Sequence, residues 1–332
     1  MPQLTIAIPT YNRCSMLKKG IGNLLRICEG FDIEILVSDN HSTDGTQLYM
    51  EEITKQHANV RYFRNDENIG PDRNFLNCYN KAVGTYTLLM GDDDTLLPGG
   101  LAFIMEAINR SPVIIHLNST TVDAQQDSFN ALPAESIDKM LLVFGDRDSF
   151  LREVGIYITF VSSLVLRTDL VRIIANIEQY FDTNFLQSHV AMNTMKEDGI
   201  YIHCKAIIIQ ATGNNTVNYD VYHVWGKCYG DLITRTGKEC GFGDSVLKTV
   251  LYESLKGIIL NFVIHFRKTC KGESTWRKED LLMYVNEYPD LIAKYKQAMG
   301  LPRTLHILYY GIRGVIGKAV SGLVALHKKV KR

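Results

Sequence analysis

Apolar positions change period repeatedly along the first part of the chain. Residues 4–8 are a short β-rich run, stopped by Pro9. They give way to Met16, Leu17, Ile21, Leu24 and Leu25, which share one helical face over residues 15–28. Residues 33–37 are another continuous apolar run, the pattern of a strand covered on both sides. The exchange continues as helix at 46–57, strand at 60–63, helix at 72–81, strand at 86–90, helix at 99–109 and strand at 113–117. Such alternation implies right-handed βαβ units and a mostly parallel sheet flanked by helices, an α/β fold. Residues 118–150 are less regular. Further strand patterns occupy 160–166 and 200–210. From about residue 217 only helical periodicity remains, over 245–266, 278–299 and 304–330. The expected organisation is a catalytic-type α/β domain over 1–215, a helical region over 216–300 and a tail over 301–332.

Composition narrows the function classes. Of 332 residues, 46% are apolar and 22% charged, a mix able to bury a core. The formal net charge is zero but unevenly spread. No acid follows Asp290, and nine Lys or Arg residues do, which leaves the preceding residues net negative by nine. A nucleic-acid partner is not expected, because a phosphate backbone needs a basic face on the main domain. Seven scattered cysteines without a C-x-x-C read as reduced thiols of a cytoplasmic protein. The start, MPQLTIAIPTYN, reads as a strand rather than a signal peptide, and no apolar run reaches the length of a membrane span.

An open parallel sheet binds ligands at the carboxyl ends of its strands. Three polar clusters fall there: Pro9-Thr10-Tyr11-Asn12-Arg13, Ser38-Asp39-Asn40-His41-Ser42-Thr43-Asp44-Gly45, and Gly91-Asp92-Asp93-Asp94. Three consecutive carboxylates repel one another unless a cation or solvent screens them. A hard divalent ion takes oxygen ligands and is commonly shared with substrate phosphates. The plainer reading is a solvated acidic turn before Pro98; the two other clusters on the same edge favour the metal. Asp39 can accept from a nucleotide's base N–H or ribose hydroxyl, or it can close an Asx turn. We assign Asp39 to ligand and Asp44 to helix capping. Neither G-x-G-x-x-G nor G-x-x-x-x-G-K-[ST] occurs, which disfavours dinucleotide and P-loop enzymes.

These residues, with Asn68-Ile69-Gly70, Ala82-Val83-Gly84-Thr85-Tyr86 and Pro98, resemble family 2 glycosyltransferases of the GT-A fold over roughly residues 3–110. Asn68-Ile69-Gly70-Pro71-Asp72-Arg73-Asn74-Phe75 resembles the bacterial O-antigen branch, including abequosyltransferase-like members. The resemblance implies a Rossmann-like sheet and a C-terminal helical appendage. It also implies a nucleotide-sugar donor and a divalent Mn²⁺ or Mg²⁺ ion. Pro9, Thr10, Tyr11 and Arg13 would line the nucleotide pocket, and Asp39 would meet the base. Asn68, Gly70 and Arg73 would lie along the donor, Arg73 at its diphosphate or sugar. One departure matters. With Pro98 as anchor, the family's first acid falls on Gly91. Asp93 and Asp94 are therefore the expected metal ligands, and Asp92 stands in for the missing acid among the donor contacts.

An inverting transfer also needs a base. The Glu-Asp pair usual in the family maps to Gln187-Ser188, with His189 beside it. His189 is a candidate because its pKa suits neutral pH; the alternative is a helix histidine without a catalytic role. Asp182 is the second candidate. Glu197-Asp198 reads as a helix end. The absent pair keeps a second reading open, a catalytically silent nucleotide-sugar binding protein, which donor turnover would exclude.

The tail carries Leu305, Leu308, Tyr309, Ile312, Val315, Ile316, Ala319, Leu323 and Leu326 on one helical face, with basic residues and no acid. That pattern suits peripheral contact with an anionic membrane, here the inner face of the cell membrane, although four glycines weaken the helix. Acceptors of related enzymes are often glycans or lipid-linked oligosaccharides, which a surface anchor would serve.

Overall fold

The computed structural model describes residues 1–122, 137–212, 219–269 and 276–300. The order is β1 (Leu4–Thr10), α1 (Cys14–Ile27), β2 (Ile33–Asp39), α2 (Thr46–Gln56), β3 (Val60–Arg64), α3 (Pro71–Lys81), β4 (Tyr86–Leu89), β5 (Thr95–Leu96), α4 (Gly100–Ile108) and β6 (Ile114–Val122). It continues as α5 (Ile137–Met140), β7 (Leu141–Phe144), α6 (Arg147–Val154), β8 (Leu164–Arg167), α7 (Thr168–Arg172), α8 (Leu186–Thr194) and β9 (Tyr201–Thr212).

The sheet runs β3-β2-β1-β4-β8-β6-β9-β5, with β7 on β9. β1, β2, β3 and β4 are mutually parallel, and β6 is parallel to β9. β5, β7 and β8 run the other way. The fold is therefore the expected mixed α/β architecture. Sequence pattern missed the reversal at β8, because an apolar run buried on both faces carries no mark of direction. Residues 161–163, expected as strand, form a tight helical turn ahead of β8. The core is built where the periodicity placed it: Leu17, Ile21 and Leu24 of α1 pack with Ile6, Ile8, Ile35, Val37 and Leu88 of the strands.

The start of β4 is held by a close backbone crossing. Gly84 N donates to Thr5 Oγ1 at 2.8 Å, and buried Glu34 accepts from Thr5 Oγ1 at 2.5 Å and from Val83 N at 2.9 Å. A Cβ on Gly84 would stand 2.5 Å from Thr5 N and 2.7 Å from Leu4 C, both backbone atoms that cannot rotate away. Gly84→Ala is expected to destabilise by about 3 kcal/mol or more, at the upper end of overpacking costs. Chemical denaturation measures this, and unchanged stability would refute the close crossing.

The chain divides into two compact units, residues 1–215 with 231–250, and 216–230 with 251 onward. This corrects the expected appendage of 216–300, because residues 231–250 belong to the first unit. Leu232, Ile233 and Thr236 are buried there; Arg147 bonds Cys240 O at 2.9 Å, and Gly243 N donates to Asp148 at 3.1 Å. Helical periodicity marks a buried face but not which partner buries it.

Within the second unit, Gly226 and Gly230 sit one turn apart against the helix Lys278–Val285. A Cβ on Gly226 would stand 2.5 Å from Leu281 Cα, and one on Gly230 2.0 Å from the Tyr284 ring. The expected helix 278–299 is two, Lys278–Val285 and Pro289–Gly300, since Pro289 starts a helix but cannot continue one. The polar-aromatic stretch of Tyr219, Tyr222, His223 and Trp225 serves this packing. Tyr222 meets Trp276, His223 Nδ1 bonds Asp280 at 2.6 Å, and Trp225 meets Phe262. The 301–332 tail lies outside the described residues. Among the described residues no helix is long and apolar enough to cross a membrane.

Candidate functional site

Parallel register brings the strand ends together. Thr10 of β1 pairs with Asp39 of β2, Ala7 pairs with Leu89 of β4, and Asn40 N donates to Thr10 O at 2.9 Å. Beyond the strands, Asn12 (φ 52°) and His41 (φ 69°) turn the chain through the left-handed region. The two turns lock together: Asn12 N donates to Ser42 Oγ at 2.8 Å, and Thr43 N to Asn12 Oδ1 at 2.7 Å. Asp44 accepts from Cys14 N at 2.7 Å and Thr46 Oγ1 at 2.6 Å, so it ties the starts of α1 and α2. Partial burial pushes its carboxyl up, but these donors outweigh that and hold it below the usual range.

The acidic run is engaged on all sides. Asp92 Oδ2 accepts from Thr10 Oγ1 at 2.7 Å and Oδ1 from Arg13 at 2.9 Å; Asp93 Oδ2 accepts from the same guanidinium at 3.0 Å. Asp94 accepts from Ser162 Oγ and, at 3.3 Å, from Thr212 N. Burial drives the Asp94 carboxyl up to about 6, with the neighbouring Asp93 and Asp92 charges adding to it against the Ser162 and Thr212 donors. Burial raises Asp92 as well, against Thr10 and Arg13.

Two carboxylate oxygens, that of Asp94 already accepting from Ser162, crowd one place. Asp94 Oδ2 lies 2.9 Å, and Asp93 Oδ1 3.1 Å, from the point where a Cβ on Gly91 would stand. Both lie over Gly91, the residue on which the sequence comparison put the expected first acid. Among the described residues no three His, Cys, Asp or Glu side chains gather into a ready metal set. Two carboxylates nevertheless fit Mg²⁺ or Mn²⁺, which complete their shells with waters and substrate phosphates.

The remaining sequence candidates are placed as follows. Asp39 stands at its strand end but is 0% exposed; Oδ1 accepts from Ser42 N at 2.9 Å and Oδ2 from Tyr62 OH at 2.7 Å. Its carboxylate closes the Asx turn, the reading set aside above, at the carboxyl edge of the sheet. Pro9 continues β1 opposite Ser38, and Tyr11 is exposed at the rim. Asn68 accepts from Asn40 Nδ2 at 2.8 Å and Gly70 N at 3.0 Å, and Gly70 takes φ 83° at the entry to α3. These two shape the turn that presents Arg73. Arg73 stacks on Phe181 at 4.5 Å and pairs with Asp182 at 3.3 Å. α3 starts near the carboxyl edge of the sheet, where its Asn74 bonds Ser38 toward the end of β2, and Arg73 precedes it with Asp182 as partner.

His189 is not placed as a base. It is 1% exposed within α8, stacks on Tyr180 at 4.3 Å, and has Nδ1 3.0 Å from Thr236 Oγ1. Burial lowers its pKa to about 3, so the ring is neutral and packed. Gln187 and Ser188 are equally buried. Asp182 is 80% exposed at its side chain.

Ser162 and Thr212 were not legible as site residues. Ser162 Oγ accepts from Gly91 N at 2.9 Å while donating to Asp94; Thr212 Oγ1 donates to Asp93 O at 2.5 Å. Strand pairing brings both: Thr95 of β5 pairs with Gln210 near the end of β9, which carries Thr212, and β4 pairs with β8, which the turn bearing Ser162 precedes. Only that pairing, invisible locally, identifies them.

A profile of Glycosyl transferase family 2 matches residues 5–170, half the chain, including the ends of β1, β2 and β4. The chain belongs to glycosyltransferase family 2. Among curated relatives, abequosyltransferase RfbV of Salmonella typhimurium is 31% identical over 213 residues, 60% of this chain and 63% of that protein. The Campylobacter jejuni GalNAc(5)-diNAcBac-PP-undecaprenol beta-1,3-glucosyltransferase is 35% identical over 111 residues, 33% of this chain and 35% of that protein. This chain thus spans less than two thirds of either relative. The GT-A fold is shared with solved structures. Staphylococcus aureus TarS 1–349 in complex with UDP-GlcNAc aligns at TM-score 0.58 and 16% identity, covering 89% of this chain and 82% of that one. Mannosyltransferase PcManGT from Pyrobaculum calidifontis, in complex with GDP-Man and Mn²⁺, aligns at TM-score 0.52 and 11% identity, covering 95% and 87%.

Proposed function

We propose that this family 2 member transfers a sugar from a nucleotide-diphosphate donor to an acceptor hydroxyl, with Asp93 and Asp94 holding a divalent Mn²⁺ or Mg²⁺ ion. The observation that carries the reading is the convergence of Asp93 Oδ1 and Asp94 Oδ2 over Gly91, beside the ends of β1 and β2. A metal there would act as a Lewis acid on the departing diphosphate. Thr10 and Arg13 hold Asp92 and Asp93 in place. Tyr11 offers an aromatic face at the rim, and Arg73 a cation toward the phosphates or sugar. The acceptor we propose is a glycan or lipid-linked oligosaccharide, in keeping with what RfbV and the Campylobacter relative are named for. The basic tail would then bring the enzyme to an anionic membrane face.

Asp182 is the base we propose, as the exposed carboxylate paired with Arg73. Asp182→Asn is expected to lower kcat by about a hundredfold or more, within the usual range for general-base loss, with donor KM unchanged. The reading as a whole is tested by thermal shift with UDP-, GDP-, CDP- and dTDP-sugars, with and without Mn²⁺. One nucleotide class should stabilise the protein, and more strongly with metal. No shift with any donor would overturn it. The burial of Gln187, Ser188 and His189 favours one alternative, a nucleotide-sugar binder without turnover. Binding without release of nucleoside diphosphate, acceptors included, would establish that alternative.

A further inference from the structure

The turn ahead of α8 bends through two left-handed residues that are not glycine, Asp182 (φ 64°) and Asn184 (φ 63°). Asp and Asn tolerate this region better than other residues, yet such backbone persists only where its surroundings over-determine it. Thr183 Oγ1 supports the turn locally, donating to Tyr180 O at 2.7 Å and accepting from Phe185 N at 3.2 Å. From outside the turn, two consecutive residues of α3 grip it. On the solvent side Arg73 stacks on Phe181 and pairs with Asp182. An exposed pair of this kind contributes little.

The other residue is Asp72, whose side chain is buried, 3% exposed. Its carboxylate faces the backbone N–H groups of residues 182–184, with Asn184 N 3.4 Å from Oδ2. Successive N–H groups in a turn of this hand make a concavity suited to an anion. Here the anion comes from the protein itself. Asp72 Oδ1 has no hydrogen-bond partner, so no second group competes for the carboxylate. Burial pushes the carboxyl up while these backbone donors pull it down.

We propose that Asp72 is a positioning residue for transfer. Its buried carboxylate holds residues 182–184 in their left-handed turn and so sets the Asp182 carboxylate toward the acceptor. The proposal rests on Asp182 being the base. Asp72→Asn keeps the shape and one accepting oxygen but removes the charge that holds the successive N–H groups. Two readouts on the full chain separate anchoring from catalysis: hydrogen exchange of the 182–184 amides, and steady-state kinetics with a nucleotide-sugar donor.

The expected result is exchange at least about tenfold faster at 182–184 than in wild type. With it, kcat should fall by up to about a hundredfold, the cost of a misplaced catalytic group, at unchanged donor KM. Unchanged exchange overturns the proposal, whatever the kinetics. Faster exchange with wild-type kcat also overturns it. Asp182→Asn, measured alongside, then shows whether the base assignment has failed as well. If Asp72→Asn does not fold, Asn184→Gly leaves the carboxylate in place and loosens the same turn. It should speed exchange and lower kcat in the same ratio, and wild-type values for both would overturn the proposal.

Discussion

Asp94→Asn will cut sugar transfer by roughly a thousandfold, abolish the stabilisation that Mn²⁺ adds to bound nucleotide, and yet make the metal-free protein more stable at alkaline pH. The first effects follow from loss of one of the two oxygens converging over Gly91. Metal stabilisation of a leaving diphosphate contributes several kcal/mol, and about 4 kcal/mol is a factor near a thousand. The last effect follows from burial. Asp94 is raised to about 6 in the folded chain and has an ordinary carboxylate value when unfolded. A group raised on folding contributes stability at pH below its unfolded value and loses it as pH rises through its folded value. Without metal, wild type therefore carries a penalty above pH 6 that corresponds to about 3 kcal/mol. The Asn variant carries none. Its melting temperature in chelator should exceed wild type by several degrees at pH 8, with the gap narrowing below pH 6 and closing near pH 4. Saturating Mn²⁺ and nucleotide should reverse the order. A variant no more stable than wild type at pH 8 would mean that Asp94 is already well solvated, and the site would lose its poise for a cation.

The contrast between Asp94 and Asp39 shows what local pattern can convey. Both stand after apolar runs at the carboxyl edge, and the runs themselves announced β1 to β4 with their helices. Sequence named the sheet edge on which the three clusters gather, since a parallel sheet leaves few other places for such residues. It did not reveal that Asp39 would be sealed under Tyr62 and Ser42, nor that Asp94 would be fixed by Ser162 and Thr212. Ser42 is a local Asx-turn partner, but Tyr62, Ser162 and Thr212 lie far along the chain, and tertiary pairing alone delivers them. The same limit explains His189. Its residue type suited a base, but every residue of α8 is buried, and the helix therefore shows no amphipathic face to say so. Residues 231–250 joined the first unit for a like reason.

Gly91→Ala is the sharper test of the site, because it removes no carboxylate. With Pro98 as anchor, Gly91 falls where the first acid of the family's motif is expected. The departure follows from the fold of the run. Asp93 and Asp94 curl back over residue 91, and a methyl there would stand 2.9 Å from Asp94 Oδ2 and 3.1 Å from Asp93 Oδ1. Both oxygens would have to swing away, and Asp94 is held by the Ser162 hydroxyl that also anchors Gly91 N. The variant should fold, since residue 91 has no left-handed backbone to strain. It should still bind nucleotide, because Thr10, Tyr11 and Asp39 are untouched. Transfer should fall about a hundredfold, equivalent to about 3 kcal/mol, as the two oxygens lose their convergence. Mn²⁺ should no longer add to the nucleotide's thermal shift. Gly91→Asp, which restores the family's acid by residue type, should be no better, because its carboxylate would enter space already held by two others. Wild-type metal-linked stabilisation in Gly91→Ala would show that the ion sits elsewhere, and the cradle over Gly91 would then be a packing feature of the acidic turn.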